Sequence, residues 1–158
     1  MKRFWLSVVL LFALTAICLA AEKSVEAPAN CKKCNMNRTQ FAHSRMIVTY
    51  ADGSSSGTCS INCAVLDLKA NKGKEVKSFQ VGDYDSKELI DARTATWVIG
   101  GKKNGVMTAV PKWAFADKSG AQEFIRNNGG KLAEFDEMVK ASEKELEELE
   151  KEKSQSLD

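Results

Sequence analysis

The sulfur-bearing side chains of this sequence are concentrated in one short region. Cys31 and Cys34 enclose two lysines, and Cys59 and Cys63 follow with three residues between them. A C-x-x-C pair can direct both sulfurs at one metal ion, and cysteines four apart at the start of a helix lie on one face. The spacing therefore predicts a tetrahedral zinc site or, in an oxidising compartment, two disulfides.

Two methionines extend the set of soft candidate ligands. Met36 lies two residues after Cys34, so an extended segment would point both side chains to the same side. A thioether is a poor ligand for Zn(II) and a good one for Cu(I), which favours copper at this position. Met107 follows a glycine-rich turn, from which its side chain could reach across to a site.

The remaining candidate ligand is the single histidine, His43, which alternates with Phe41 and Ile47 on one face of a predicted strand. A lone histidine in such a pattern is more often structural than a ligand, so both roles stay open for it. The sequence shows no Ser-His-Asp set, and nothing singles out one cysteine as a nucleophile paired with His43. We therefore predict a metal-binding protein and not an enzyme.

The N-terminal segment has the pattern of a secretory signal peptide. Lys2 and Arg3 make its start basic, an almost wholly apolar stretch follows, and small residues at its end predict cleavage after Ala20. The apolar run is at the short limit for a bilayer span, which leaves an uncleaved membrane anchor or lipidation at Cys18 as alternatives. In each case we predict a periplasmic or other extracytoplasmic location.

Charge excludes one class of partner. Of the 23 basic residues, only Lys2 and Arg3 lie within residues 1–20, and none of the 21 acidic residues does, so the remainder carries 21 of each sign. A net charge of zero provides no general attraction to nucleic acid or to an acidic membrane surface. We therefore predict no nucleic-acid partner.

Hydrophobic periodicity and turn residues divide the rest of the chain into short elements. Strands are predicted over 41–50, 76–84, 94–99, 106–110 and 132–135, and helices over 60–71, 85–92 and 119–129. Residues 51–57 have the composition of a turn, and 142–158 that of a solvated, fraying helix.

A weak internal repeat indicates how these elements are arranged. Leu68, Asn71, Gly73, Val76 and Phe79 match residues of the same type 56 positions later, and each set describes a helix, a glycine cap and a strand. We therefore predict an α+β fold in which two small ββαβ-type halves form one compact domain. The predicted domain spans 31–140, with halves at about 31–84 and 85–138. It follows a signal peptide (1–20) and a linker (21–30) and precedes a charged C-terminal tail (141–158).

Several short motifs resemble, in their order and spacing, the NosL family of nitrous oxide reductase accessory proteins. Together they cover about residues 31–138, and their order is more specific than any one of them. They are Cys34-Asn35-Met36, the F-A-H-S-R-M-I-V-T-Y-A-D-G run of 41–53, Ile90-Asp91-Ala92, the T-W-V-I-G run of 96–100, Gly105-Val106-Met107, the A-Q-E-F run of 121–124 and the N-G-G-K run of 128–131.

The resemblance implies an exported, often membrane-anchored protein, similar in fold to organomercurial lyase, that binds Cu(I) and delivers it toward the copper centres of nitrous oxide reductase. The family's C-G-M motif falls on Cys34 and Met36, and its later Gly-Pro-Met-Gly motif falls on Met107. These three are therefore the ligands that the resemblance implies. Asn35 stands in place of the family's glycine, and Val106 in place of its proline.

Cys31, Cys59 and His43 cannot be carried over from the family as ligands. Where many members have an acidic stretch, this chain has Thr58-Cys59-Ser60. The extra thiols keep structural Zn(II) at the four cysteines, and a disulfide-stapled interaction domain, open beside a Cu(I) metallochaperone. An enzyme on the organomercurial-lyase fold is the last alternative. The partner that the resemblance implies is a copper-dependent enzyme or its maturation or transport complex.

Overall fold

Ten helices and strands succeed one another within residues 25–156, the part of the chain that this computed structural model describes. The predicted signal peptide, residues 1–20, lies outside that range. The elements are β1 (Met46–Tyr50), β2 (Ser55–Thr58), α1 (Ile61–Ala70), β3 (Val76–Gly82), β4 (Leu89–Asp91), β5 (Thr96–Ile99), β6 (Lys112–Phe115), α2 (Lys118–Asn128), β7 (Lys131–Ala133) and α3 (Phe135–Gln155).

The two sheets repeat one ββαβ arrangement. In the first sheet the strand order is β2-β1-β3-β4, and in the second it is β6-β5-β7, with antiparallel pairing throughout. In each half the helix joins the second strand to the third, and a glycine with positive φ, Gly73 or Gly129, follows that helix. The predicted α+β fold with two ββαβ halves is therefore confirmed.

Two hydrophobic cores lie on opposite faces of the three-stranded sheet. Because side chains alternate along a strand, Trp97 and Ala114 enter one core and Val98 and Trp113 the other. The first core, the main core, contains Trp97 and Ala114 together with buried side chains of β1, β3, α1 and α3. The second, the thiol core, consists of Cys31, Cys59, Cys63, Val98, Val106, Trp113, Phe115, Ala121 and Phe124.

The first predicted strand is too long at its N-terminal end, because residues 41–44 form a turn and β1 begins at Met46. The backbone N–H groups of Ser44 and Arg45 both donate to the carbonyl of Phe41, at 3.1 and 3.0 Å. The Arg45 guanidinium also donates to the carbonyl of Ala42 at 2.7 Å. These contacts outweigh the β propensity of the stretch, and they place His43 on a turn.

Residues 51–57 were predicted as a turn, but β2 occupies their second half. Its sequence, S-S-G-T, has little intrinsic β propensity. The strand forms because β1 pairs with it, Ile47 lying opposite Gly57. Pairing and not composition therefore determines this element.

The short helix predicted over 85–92 is wrong, and β4 pairs there with β3. The carboxylate of Asp83, not that of Asp85, accepts the N–H of Ser86 at 2.7 Å. The positive φ of Lys87, 67°, then ends the turn before it can continue as a helix.

The return strand predicted over 106–110 is also wrong, since β6 begins at Lys112. The N–H of Gly100 donates to the carbonyl of Pro111 at 2.8 Å, which closes a wide loop. Within that loop a Cβ on Gly105 would lie 2.4 Å from the Thr108 methyl group, so the loop folds tightly on itself. Residues 106–110 therefore leave the sheet.

Charged side chains attach the segments on either side of the predicted core region. Glu26, in the predicted linker, accepts hydrogen bonds from Arg38 at 2.5 Å and from Arg45 at 3.0 Å.

In the predicted tail, Leu146 of α3 is 8% exposed and belongs to the main core, whereas Leu149 is 46% exposed. No helix within residues 25–156 is both long enough and apolar enough to cross a membrane.

Replacing Leu146 by alanine tests the docking of α3. Removal of a buried leucine side chain is expected to lower the free energy of unfolding by about 2–5 kcal/mol. Leu149→Ala on the same helix is the matched control, with an expected change within about 0.5 kcal/mol. Urea unfolding measures both variants, and equal effects for the two would contradict the docked helix.

Candidate metal centre

The four cysteine sulfurs of residues 25–156 converge on one point, within 4.8 Å of one another. Cys34 Sγ lies 3.4 Å from Cys59 Sγ and 3.8 Å from Cys63 Sγ, and Cys59 and Cys63 are 3.8 Å apart. All four are free thiols. Cys31, Cys59 and Cys63 are buried, and Cys34 is half-buried, so the group has one side open to solvent.

A tight turn presents the first pair of thiols. The N–H of Asn35 donates to the carbonyl of Cys31, and the N–H of Cys31 donates to the carbonyl of Met36, both at 2.9 Å. Asn35 has a φ of +61°, in the left-handed region that glycine and asparagine tolerate best. This accounts for asparagine at the position where the motif of the resembling family has glycine.

The start of α1 presents the second pair. Ser60 caps the helix by accepting the N–H of Cys63, which places Cys63 in the first turn and Cys59 immediately before the cap. The hydroxyl of Ser44 donates a hydrogen bond to the carbonyl of Cys59 at 2.9 Å. A thiolate in the first turn of a helix is stabilised by the helix dipole, so this location favours the metal-binding thiolate form of Cys63.

Backbone contacts connect the two pairs. The N–H of Lys32 donates to the carbonyl of Gly57 at 3.1 Å, and the Arg38 Nε donates to the carbonyl of Thr58 at 3.1 Å. Arg38 is fully buried. The turn at 31–36 and the approach to α1 are therefore fixed relative to each other without any metal.

The hydrogen bond between the Cys59 and Cys63 thiols gives these two groups different pKa values. The bond from the Cys59 thiol, against the effect of burial, lowers the pKa of Cys63 to about 6. The same bond, together with burial, raises the pKa of Cys59. Burial raises the pKa of Cys34 to about 11. Negative charge at neutral pH is therefore favoured at Cys63 over Cys34 and Cys59, and metal binding must displace the protons of Cys34 and Cys59.

This geometry fits a thiophilic metal ion. A tetrahedral site with metal–sulfur bonds of about 2.3 Å places neighbouring sulfurs about 3.8 Å apart. The separations of 3.4 to 3.8 Å among Cys34, Cys59 and Cys63 are close to that value. The apolar side chains of the thiol core surround the sulfurs on the protein side, which suits a soft ion held by soft ligands.

The two candidate methionines occupy different positions. Met36 is half-buried and packs against the thiol core, directly after the turn that carries Cys34. Met107 is 47% exposed, but Val106 before it is buried in the thiol core, so Met107 lies at the edge of that core. Its φ of +53° is uncommon for a residue with a side chain.

His43 is not part of the sulfur group. Its ring centroid lies 5.4 Å from that of Trp113 and 5.8 Å from that of Tyr84, and the candidate metal-binding group among the described residues contains the four cysteines without it. Burial, with the charges of Lys87 and Lys103, lowers the pKa of His43 to about 4, so the ring is neutral at pH 7. The observed contacts are aromatic, and a ligand role for His43 stays a prediction.

Comparison of the sequence with known protein families shows to which of them the chain belongs. The NosL family profile matches residues 22–142, well over half of the sequence. The chain belongs to the NosL family. A similar solved structure is the crystal structure of the copper chaperone NosL from Shewanella denitrificans, with a TM-score of 0.60 and 26% identity, covering 73% of this chain and 92% of that one. No curated protein matches the chain.

Each of the two NosL motifs contains one residue with a left-handed backbone conformation. The Cys34–Met36 motif turns through the left-handed Asn35, and the second motif turns at the left-handed Met107 itself. Sequence reasoning identified both motifs but missed Val106, which attaches the second motif to the thiol core, and Arg38, which braces the first. An isolated valine or arginine carries no local signal of that kind.

Proposed function

We propose that this NosL protein is an exported metallochaperone that binds Cu(I) and delivers it to a copper-dependent enzyme such as nitrous oxide reductase, or to the complex that matures it. The observation that carries the proposal is the convergence of four free thiols on one half-open group, with the thioether-bearing Met36 packed against the same core. Cu(I) is soft and accepts thiolate and thioether ligands together, whereas Zn(II) takes thioethers poorly.

The ligands we propose follow from exposure and position. Cys34 and the buried thiols hold the ion from the protein side. Met36, half-buried against the thiol core, and Met107, which follows the buried Val106, are the thioethers that we propose to complete the coordination. His43 is retained as an additional candidate ligand, brought in by a small rearrangement of the turn at 41–44.

A half-open site also suits transfer. Cys34 is the least buried of the four cysteines, so a thiolate or thioether of a partner can approach the ion from that side. Exchange of one ligand at a time moves the ion without releasing it to solvent, and no covalent bond of a substrate is broken. The function proposed is therefore carriage and delivery, without catalysis, in the periplasm or at the outer side of the membrane.

A second candidate is a structural Zn(II) site at Cys31, Cys34, Cys59 and Cys63. The near-tetrahedral spacing of three of the sulfurs favours it. Closed four-thiolate sites stabilise folds and release metal slowly. The two candidates differ in whether the methionines contribute to affinity.

Replacing Met36 and Met107 together by leucine separates them. We expect the double variant to lose at least about tenfold in Cu(I) affinity, because leucine keeps the volume and removes the sulfur. Its Zn(II) affinity should not change. Titration of the reduced protein under anaerobic conditions, with competing chelators for each ion, measures both affinities.

Met138→Leu is the control, since Met138 is fully buried in the main core and outside the thiol core. Two results together would overturn the chaperone proposal and establish the zinc site. The first is a Cu(I) affinity that does not change when Met36 and Met107 are replaced, and the second is tight Zn(II) binding that requires all four cysteines.

A further inference from the structure

The loop that carries Met107 is held by a carboxylate on the C-terminal helix. We propose that Glu145 of α3 is a positioning residue that sets the reach of Met107 toward the thiol core, so that the C-terminal helix takes part in metal binding. The inference rests on the proposed function, because it treats Met107 as a ligand.

The loop has one end fixed in the thiol core. Val106 is 7% exposed and belongs to the thiol core. The missing Cβ of Gly105 allows the chain to fold back onto Thr108 and Pro111. From Met107 onward the loop emerges from that core, and Met107 is 47% exposed. The position of its thioether therefore depends on what holds the outer part of the loop.

Glu145 holds that outer part through both carboxylate oxygens. Its Oε1 accepts the backbone N–H of Ala109 at 2.5 Å, and its Oε2 accepts the hydroxyl of Thr108 at 2.7 Å. Oε2 also lies 3.0 Å from the ammonium group of Lys112. The side chains of Glu145 and Lys112 are 14% and 1% exposed, so solvent screens this ion pair far less than a surface pair.

Lys112 extends the network to the helix that carries Cys63. Its Nζ donates to the hydroxyl of Thr108 at 2.9 Å and to the amide oxygen of Asn62 at 3.2 Å. Asn62 is buried in the first turn of α1, next to Cys63. One buried network thus fixes the Met107 loop and the cysteine-bearing end of α1 relative to each other.

The backbone of Met107 gives a reason for such a network. A side-chain-bearing residue at a φ of +53° occupies a sparsely populated conformation, and surrounding contacts must keep it there. The bonds from Thr108 and Ala109 to Glu145 act on the two residues that follow. Their loss would let the loop relax and would move the thioether away from the thiols.

A cycle of variants tests the proposal. In the otherwise unchanged protein, Glu145→Gln is expected to weaken Cu(I) binding about tenfold, the usual cost of removing a group that orients a metal ligand. In a Met107→Leu background the same substitution should have no further effect, because the thioether it positions is gone. Anaerobic competition titration gives all four affinities. An equal loss in both backgrounds would show a structural role only and would overturn the inference.

Thr108→Ala keeps the Glu145–Lys112 pair and removes one hydroxyl that bonds to it, so it serves if Glu145→Gln does not fold. The same dependence on Met107 is expected of it. Glu148→Gln is the matched control, because Glu148 lies on the exposed side of α3 and pairs at 3.8 Å with Lys144.

A second readout follows the Met107 sulfur itself. In the copper-loaded protein, Met107 should resist oxidation by peroxide, and Glu145→Gln or Thr108→Ala should remove that protection, as measured by peptide mass spectrometry. If Met107→Leu alone leaves Cu(I) affinity unchanged, the proposed ligand set fails, and this inference with it. If Met107→Leu weakens binding while Glu145→Gln and Thr108→Ala do not, only the inference fails.

Discussion

Replacing Cys59 by serine is expected to lower the affinity for Cu(I) by at least about a hundredfold, the upper range for groups that only orient a ligand. Cys59 is completely buried, and its sulfur is 3.4 Å from that of Cys34 and 3.8 Å from that of Cys63. Serine is similar in shape, but its hard oxygen is a poor ligand for a soft ion. Anaerobic competition titration of the reduced variant measures the loss.

The control is Ser44→Ala, which removes the hydroxyl that holds the Cys59 carbonyl at 2.9 Å and leaves every thiol in place. Its effect on Cu(I) affinity should be much smaller than that of Cys59→Ser. Thermal unfolding of the metal-free variants checks that both fold. Unchanged copper affinity in Cys59→Ser, with loss in Cys34→Ser, would mean that the proposed ligands Cys34, Met36 and Met107 suffice and that the buried thiols serve another purpose.

Most of the sulfur group could be predicted from the sequence because its geometry is local. A C-x-x-C turn, and two cysteines four residues apart across the N-cap of a helix, each bring two sulfurs together through local backbone geometry. Their meeting could not be predicted, since it depends on the contacts of Lys32 and Arg38 with residues 57 and 58. The position of His43 could not be predicted, because the alternating pattern of 41–47 favours a strand and side-chain contacts of Arg45 make a turn there instead.

The fold was predictable for a similar reason. Each ββαβ half is marked by a helix, a glycine and a strand, and those signals lie close together in the chain. The elements that were missed or misplaced, β2, β4 and β6, are three or four residues long. The strands β5 and β7 are equally short and were predicted, so length is not the whole reason. The S-S-G-T sequence of β2 carries no strand signal, and its pairing with β1 determines it instead.

Charged residues at the two ends of the domain were the least predictable. Glu26 and Glu145 lie in stretches whose composition is typical of a linker and of a solvated tail. Each is instead bound by a buried cation from a distant part of the chain, Arg38 or Lys112. Such pairs join the ends of the domain to the two methionine motifs, and only the tertiary structure shows them.

Arg38→Met is therefore expected to have the largest effect on stability, lowering the free energy of unfolding by about 3–5 kcal/mol. Arg38 is fully buried, and its guanidinium donates to the Glu26 carboxylate at 2.5 Å and to the carbonyls of Pro28 and Thr58 at 2.7 and 3.1 Å. Methionine fills much of the space but donates no hydrogen bonds, so the carbonyls of Pro28 and Thr58 lose this donor, and the Glu26 carboxylate keeps only Arg45 of its two guanidinium partners. Urea unfolding at pH 7 measures the loss.

The arrangement of donors, not charge alone, should account for that loss. Arg38→Lys keeps the charge without the planar fork and should recover only part of the stability, and Arg126→Met, on the exposed side of α2, should change it little. Burial alone would raise the pKa of Glu26, but hydrogen bonds and charge from Arg45, with a hydrogen bond from Arg38, outweigh it and hold the pKa below its usual value. The charged part of the contribution is thus present at pH 7 and is lost as the pH falls through that lowered pKa, so the gap between Arg38→Met and the unchanged protein should narrow in acid. Because Arg38 also donates to the carbonyl of Thr58, next to Cys59, Arg38→Met should weaken Cu(I) binding as well.

Wild-type stability in the Arg38→Met variant would show that the guanidinium network does not hold the metal-binding turn in place.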